Sequence, residues 1–142
     1  MFAFDPHGRL AGVHPDLIKV VQAAALICKQ PFQVIEGLRT AARQAQLYAQ
    51  GRTAPGNIVT WVRVSNHQAK PDGFGHAVDM VAIGADGSID WNHTAPYDTI
   101  DDAMHAAAKS LNIGIRYGGD WDMDGNRHEH GESDIDHWEL HP

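Results

Sequence analysis

Histidine and aspartate are the residues in this chain best equipped for chemistry, and they cluster. Ten histidines occur in 142 residues, seven of them from His76 to the C-terminus. Three segments concentrate the reactive types. Ser65-Asn66-His67-Gln68 runs through a loop to Gly75-His76-Ala77-Val78-Asp79. Asp134-Ile135-Asp136-His137-Trp138-Glu139 lies near the end, and Glu36-Gly37-Leu38-Arg39-Thr40 near the start. A catalytic zinc site needs about three protein ligands and an open fourth position. Imidazole nitrogen and carboxylate oxygen both serve, so a chain whose one cysteine is Cys28 is not disqualified. His67 ends one expected strand, Asp79 lies inside the next, and His137 would approach from a terminal strand. Asp79 interrupts an apolar run, Ala77-Val78 before it and Met80-Val81-Ala82-Ile83 after it. A carboxylate there is turned outward or buried with a cationic partner, because an unpaired buried charge is costly. Asp134 could face a water held by the metal. Zinc lowers the pKa of such water to about 7, and a nearby carboxylate can take its proton and pass it to a leaving amine. Asp136, beside His137 in an extended chain, is expected on the other sheet face.

The elements that must position these residues are legible from periodicity and breakers. Pro15-Asp16 opens a helix whose Leu17, Val20, Val21, Ala24, Ile27 and Cys28 share a face, and Pro31 stops it. Phe32 to Glu36 reads as a strand. Thr40 is placed to cap a second helix, Ala41 to Gln50. Strands are predicted over Ile58 to Val64 and Ala77 to Ile83, with Asp86-Gly87 turning into Ser88 to Trp91. A third helix runs from Pro96 to Leu111, with Asp101 and Asp102 as a solvated first turn near its positive end. Ile113 to Tyr117 and Ile135 to Leu140 read as strands around a polar loop, Gly118 to Ser133. The sum is α+β: one domain, 1–142, with a small, mainly antiparallel sheet and helices packed on one side.

Composition sets outer limits. With 43% hydrophobic and 20% charged residues, the chain can bury a core without disulfides. Cys28 is expected to pack as a small buried hydrophobe. A net charge of −7 disfavours a nucleic-acid partner, which needs clustered Lys and Arg. The longest apolar stretch, Val20 to Cys28, is too short to span a bilayer, so no membrane insertion is expected. The N-terminus lacks the pattern of a secretory signal. A cytoplasmic location is therefore expected, with export by another route, and a monomer is expected.

On these residues the chain resembles the zinc peptidases of bacterial cell-wall turnover that share the fold of the D-Ala-D-Ala carboxypeptidases and the hedgehog domain. The resemblance is strongest to phage endolysin-type L-alanyl-D-glutamate peptidases. Ser65-Asn66-His67, Gly75-His76-Ala77-Val78-Asp79 and Asp134 to Glu139 follow their motif order. Glu36 to Thr40, Gln44, Leu47, Tyr48, Gly51-Arg52-Thr53, Pro55-Gly56 and Val59-Thr60-Trp61 also look like that subgroup. The resemblance implies zinc on His67, Asp79 and His137, with Asp134 as general base and acid. It implies that Arg39 stabilises the oxyanion or binds a substrate carboxylate, and that Ser65 hydrogen-bonds substrate. The chain departs from the pattern at Ala69 to Phe74, which lengthens the gap after His67. Either the loop bulges outward and His67 remains the ligand, or His76 replaces it. The intact Ser-x-His context favours His67.

The implied activity is cleavage of the peptidoglycan stem peptide, between L-Ala and D-Glu, by an endolysin acting in host lysis. D-Ala-D-Ala carboxypeptidase or dipeptidase activity, or a non-catalytic metal-binding wall module, are the alternatives. Separately, Asp120-Trp121-Asp122-Met123-Asp124-Gly125-Asn126 opens like an EF-hand calcium loop. Its twelfth position is Gly131, with Glu132 one residue late, so Ca2+ is the weaker of the two metal expectations.

Overall fold

Helix α1 (Pro15–Ile27) begins at the proline that marks it in the sequence. His14 caps it, its Nδ1 accepting the Asp16 N–H at 3.0 Å. The computed structural model describes residues 2–60 and 65–142. Strand β1 (Phe32–Glu36) follows, then helix α2 (Ala41–Ala49), where Thr40 Oγ1 accepts the Arg43 N–H at 3.1 Å. Strand β2 (Ala77–Ala82), helix α3 (Ala95–Leu111), strand β3 (Ile115–Tyr117) and strand β4 (His137–Leu140) complete the order. The sheet runs β1-β2-β4-β3 and every pairing is antiparallel.

One face of the sheet is the core. Phe32, Val34, Val78, Met80, Ile115, Tyr117 and Trp138 pack there against Leu17, Val20, Val21 and Ala24 of α1 and Ile100, Met104 and Ala107 of α3. Complete burial of each large side chain contributes roughly 1.5–3 kcal/mol. Alternation then sends Asp79, His137, Glu139 and Arg116 to the opposite face. The register aligns Asp79 with His137, and both Ala77 and Arg116 with Glu139.

β1 carries an irregularity with a consequence for that face. Its pairing runs Val34↔Met80 and then Glu36↔Asp79, so Ile35 is an extra residue. Simple alternation from Phe32 and Val34 would send Glu36 into the core. The bulge turns it to the side of Asp79 instead.

Several expectations need correction. Asp101 is not part of a solvated turn: it is 3% exposed. Its carboxylate accepts the Trp138 indole N–H at 2.9 Å and the Arg127 Nε–H at 3.0 Å, and lies 2.8 Å from His105 Nδ1. Three donors offset the cost of burying the charge, and Asp102 alone is exposed. Residues 58–60 of the expected strand Ile58 to Val64 are not in a strand, and 61–64 lie outside the described residues. After Asp86-Gly87 only the bridge Ile83↔Ile89 forms. Cys28 is partly buried, because it lies past the end of α1.

Candidate active site

The face opposite the core opens into a cleft of about 950 Å³. His67, Asp79 and His137 meet in its wall. His67 Nε2 lies 3.1 Å and His137 Nδ1 3.2 Å from the same oxygen, Asp79 Oδ1. The ligand-capable atoms of these three residues all fall within 4.8 Å of one another. Asp79 and His137 arrive by strand register. His67 arrives by a turn: Ser65 Oγ accepts the His67 N–H at 3.1 Å, and the His67 carbonyl accepts the Arg39 N–H at 2.8 Å.

The far side of each imidazole is also held. His67 Nδ1 lies 2.8 Å from the Gly37 carbonyl, and His137 Nε2 lies 2.8 Å from Glu139 Oε1. A carbonyl or carboxylate on the outer ring nitrogen fixes the tautomer and aims the inner nitrogen, the usual support behind a metal-binding histidine. Two imidazole nitrogens and one carboxylate oxygen at a single point, so supported, fit a zinc ion. The electrostatics agree. Burial works to raise the Asp79 carboxyl pKa, but His67 and His137 beside it hold it well below the usual carboxylate range. Burial likewise opposes charge on His137, yet its hydrogen bonds to Asp79 and Glu139 push its pKa up to about 10. Asp79 is thus held as an anion between the two imidazoles.

His76 is elsewhere. The 69–74 loop closes on itself, Lys70 N–H to Phe74 carbonyl at 2.9 Å and Gly73 N–H to Lys70 carbonyl at 2.8 Å, and bulges outward. His76 Nε2 sits 2.7 Å from Asp72 Oδ2, near His14. The structure therefore brings His67, and not His76, to Asp79 and His137.

Asp134 lines the cleft, half exposed, with Oδ2 3.9 Å from the inner nitrogen of His137. Gly118 permits this approach: a Cβ there would meet the Asp134 carbonyl at 2.2 Å. Asp136 corrects the expectation that it faces away. It lines the same cleft, because the residues before His137 form a turn and β4 begins only at His137. Burial and the nearby charges of Asp79 and Asp134 push its carboxyl up to about 8.

Arg39 is 9% exposed and lines the cleft, so it is no surface charge at a helix start. Its Nε and Nη2 each donate to Glu36 at 2.7 Å, and its Nη1 donates to Gln44 Oε1 at 2.6 Å. Nη2 also lies 3.8 Å from Asp79 Oδ2. Ser65 is buried at the cleft's edge.

Sequence reasoning missed four contributors: Glu36, Asn66, Arg116 and the role of Glu139. Glu139 accepts from Asn66 Nδ2 at 3.0 Å and Arg116 Nη2 at 2.9 Å. Burial would raise its pKa, but His137 and these donors lower it to about 2. The spacing of His137 and Glu139, two apart on a strand, was the available signal.

In the 118–133 loop, ligand-capable atoms of Asp120, Asp122 and Glu132 gather within 4.8 Å, as do those of Asp122, Asp124 and Glu129. Glu132, one residue beyond the twelfth position, is buried, and its carboxylate accepts the Asp122 N–H at 3.2 Å and the Glu129 N–H at 3.3 Å. The neighbouring carboxylates, Asp124 first, raise the Glu129 pKa to about 7, and Asp120 Oδ1 is buried without a hydrogen-bond partner.

Comparison with known proteins gives a consistent answer. The family described as phage L-alanyl-D-glutamate peptidase matches residues 2–141. The chain is 31% identical over 142 residues to the L-alanyl-D-glutamate peptidase of Escherichia phage T5, covering 98% of this chain and 96% of that one. It is 33% identical over 90 residues to the peptidoglycan L-alanyl-D-glutamate endopeptidase CwlK of Bacillus subtilis, covering 62% of this chain and 52% of CwlK. Among solved structures, the L-Ala D-Glu endopeptidase ChiX of Serratia marcescens superposes with a TM-score of 0.73 at 33% identity, covering 94% of this chain and 84% of ChiX.

Proposed function

Because the chain belongs to the phage L-alanyl-D-glutamate peptidase family, we propose that it is a zinc-dependent endopeptidase cutting the peptidoglycan stem between L-Ala and D-Glu. The observation that carries this reading is the convergence of His67 Nε2 and His137 Nδ1 on Asp79 Oδ1 at 3.1 and 3.2 Å, inside a cleft bordered by the half-exposed carboxylate of Asp134. His67, Asp79 and His137 would hold the zinc. Bound zinc supplies Lewis-acid polarisation and a water activated at neutral pH.

The remaining steps belong to the chain's own side chains. Asp134 is the base: it is half exposed, reaches the cleft and stands 3.9 Å from His137. It accepts a proton from the attacking water and returns it to the leaving amine. Arg39, its fork clamped by Glu36, is a fixed positive charge in the cleft wall that stabilises the negative charge developing on the carbonyl oxygen. Ser65 offers its hydroxyl hydrogen to the substrate while its oxygen holds the His67 turn. Calcium is a second proposed ligand, in the Asp120-Asp122-Asp124 loop closed by Glu132; the unpartnered Asp120 Oδ1 supports it. As an endolysin the protein would wait in the host cytoplasm until released to the wall.

Chelation followed by metal restoration tests the zinc reading. Turnover of a defined stem peptide should vanish on chelation and return with one zinc per chain. His137→Ala should bind no zinc, and His76→Ala should bind it normally. Zinc lost in His76→Ala but kept in His67→Ala would overturn the ligand set.

A further inference from the structure

Two arginines border the cleft, and they differ in how much hydrogen-bonding capacity is already committed. Arg39 uses all three of its nitrogens, two on Glu36 and one on Gln44. Arg116 uses one. Its Nη2 donates to Glu139 Oε2 at 2.9 Å, its Nε is buried with no acceptor, and its Nη1 makes no hydrogen bond among the described residues. The Nε is shut away from solvent, so the donors Arg116 can offer a partner in the cleft are the two N–H groups of Nη1.

The position of Arg116 suits a partner in the cleft. It stands opposite Glu139 in the register, one strand over from His137 and on the same face. The Trp121 ring lies 5.1 Å from the guanidinium carbon and 5.4 Å from the His137 ring, so one indole steadies both. Glu139 does not satisfy Arg116, because its carboxylate is shared with His137 and Asn66. Elsewhere the cleft presents Asp134 and Asp136, which repel an anion.

The substrate brings an anion. A D-glutamyl residue joined at the scissile bond through its nitrogen, and to the rest of the stem through one carboxyl, keeps its second carboxyl free. We propose that Arg116 holds this free carboxylate and so makes the enzyme select an acidic residue on the leaving-amine side. The inference rests on the substrate reading above. Arg39 has three of its five N–H groups on Glu36 and Gln44 and is assigned to the scissile carbonyl, whereas Arg116 can offer both N–H groups of Nη1 in charge-assisted hydrogen bonds.

Two stem peptides, identical except that the free glutamyl carboxyl is an acid in one and a primary amide in the other, test this by steady-state kinetics. The unaltered protein should cut the acid with kcat/KM about tenfold or more above the amide, the range of a charge-assisted hydrogen bond. Most of the difference should lie in KM, since the contact exists in ground and transition states alike. Arg116→Met should collapse the acid-to-amide ratio toward one, and Arg116→Lys should restore part of it. Thermal melting and zinc content establish that both variants are folded and loaded. A ratio unchanged in Arg116→Met, or a ratio of one in the unaltered protein, overturns the inference and leaves the substrate reading standing. Cleavage of neither peptide by the zinc-loaded protein overturns both.

Discussion

Asp101 in α3 accepts the indole N–H of Trp138 in β4 at 2.9 Å, and Trp138 lies between His137 and Glu139 in the chain. The core side of β4 is thus anchored to a helix through a buried carboxylate while its other side presents His137 and Glu139 to the cleft. The same carboxylate holds Arg127 of the acidic loop at 3.0 Å. Asp101→Ala should cost about 3 kcal/mol or more, because it strands a buried indole donor and a partly buried guanidinium. Urea denaturation measures this; a loss below about 1 kcal/mol would show the pair to be incidental.

Glu139→Gln should leave the fold intact and weaken zinc binding by about 10- to 100-fold, the usual effect of removing a carboxylate from behind a metal-binding histidine. Competition against a chelator of known affinity reads the change. Asn66 and Arg116 keep a partial acceptor in the amide, so little stability should be lost.

Much of this was legible in the chain. The starts of α1 and α2, β1, β2 and the α+β class follow from Pro15, Thr40 and apolar alternation. The trio His67, Asp79 and His137 followed from residue type and motif order. What periodicity cannot supply is long-range pairing. Asp101 looked like a solvated acid because its partners lie 26 and 37 residues away in Arg127 and Trp138. Glu36 depends on a bulge whose extra residue, Ile35, carries no turn signal. Asp136 obeyed the alternation rule only if the chain was already extended, and it is not.

Asp134→Asn should bind zinc normally and lose activity by about 10²- to 10⁴-fold, since the amide cannot take a proton from the attacking water. Metal analysis and single-turnover rates on the same preparation separate the two effects. Near-normal turnover would move the role to Asp136, which lines the same cleft.

His105 gives stability a pH dependence of definite sign. Its hydrogen bond to Asp101 raises its pKa above 6.5. A histidine with a raised folded-state pKa contributes fully below its unfolded pKa, and the contribution fades as pH rises through the folded value. The side chain is 46% exposed, which keeps the effect small. The unaltered protein should exceed His105→Gln in urea midpoint at about pH 6, with the gap closing by about pH 9. A gap that widens with pH would contradict the pairing.

The most direct test is mass spectrometry of purified peptidoglycan after incubation with the zinc-loaded protein. The account expects stem peptides released with a free D-Glu amine, glycan strands retaining L-Ala, and no such fragments from the Asp134→Asn protein or in the presence of chelator. Release of terminal D-Ala instead, or the same fragments from the chelated protein, would contradict it.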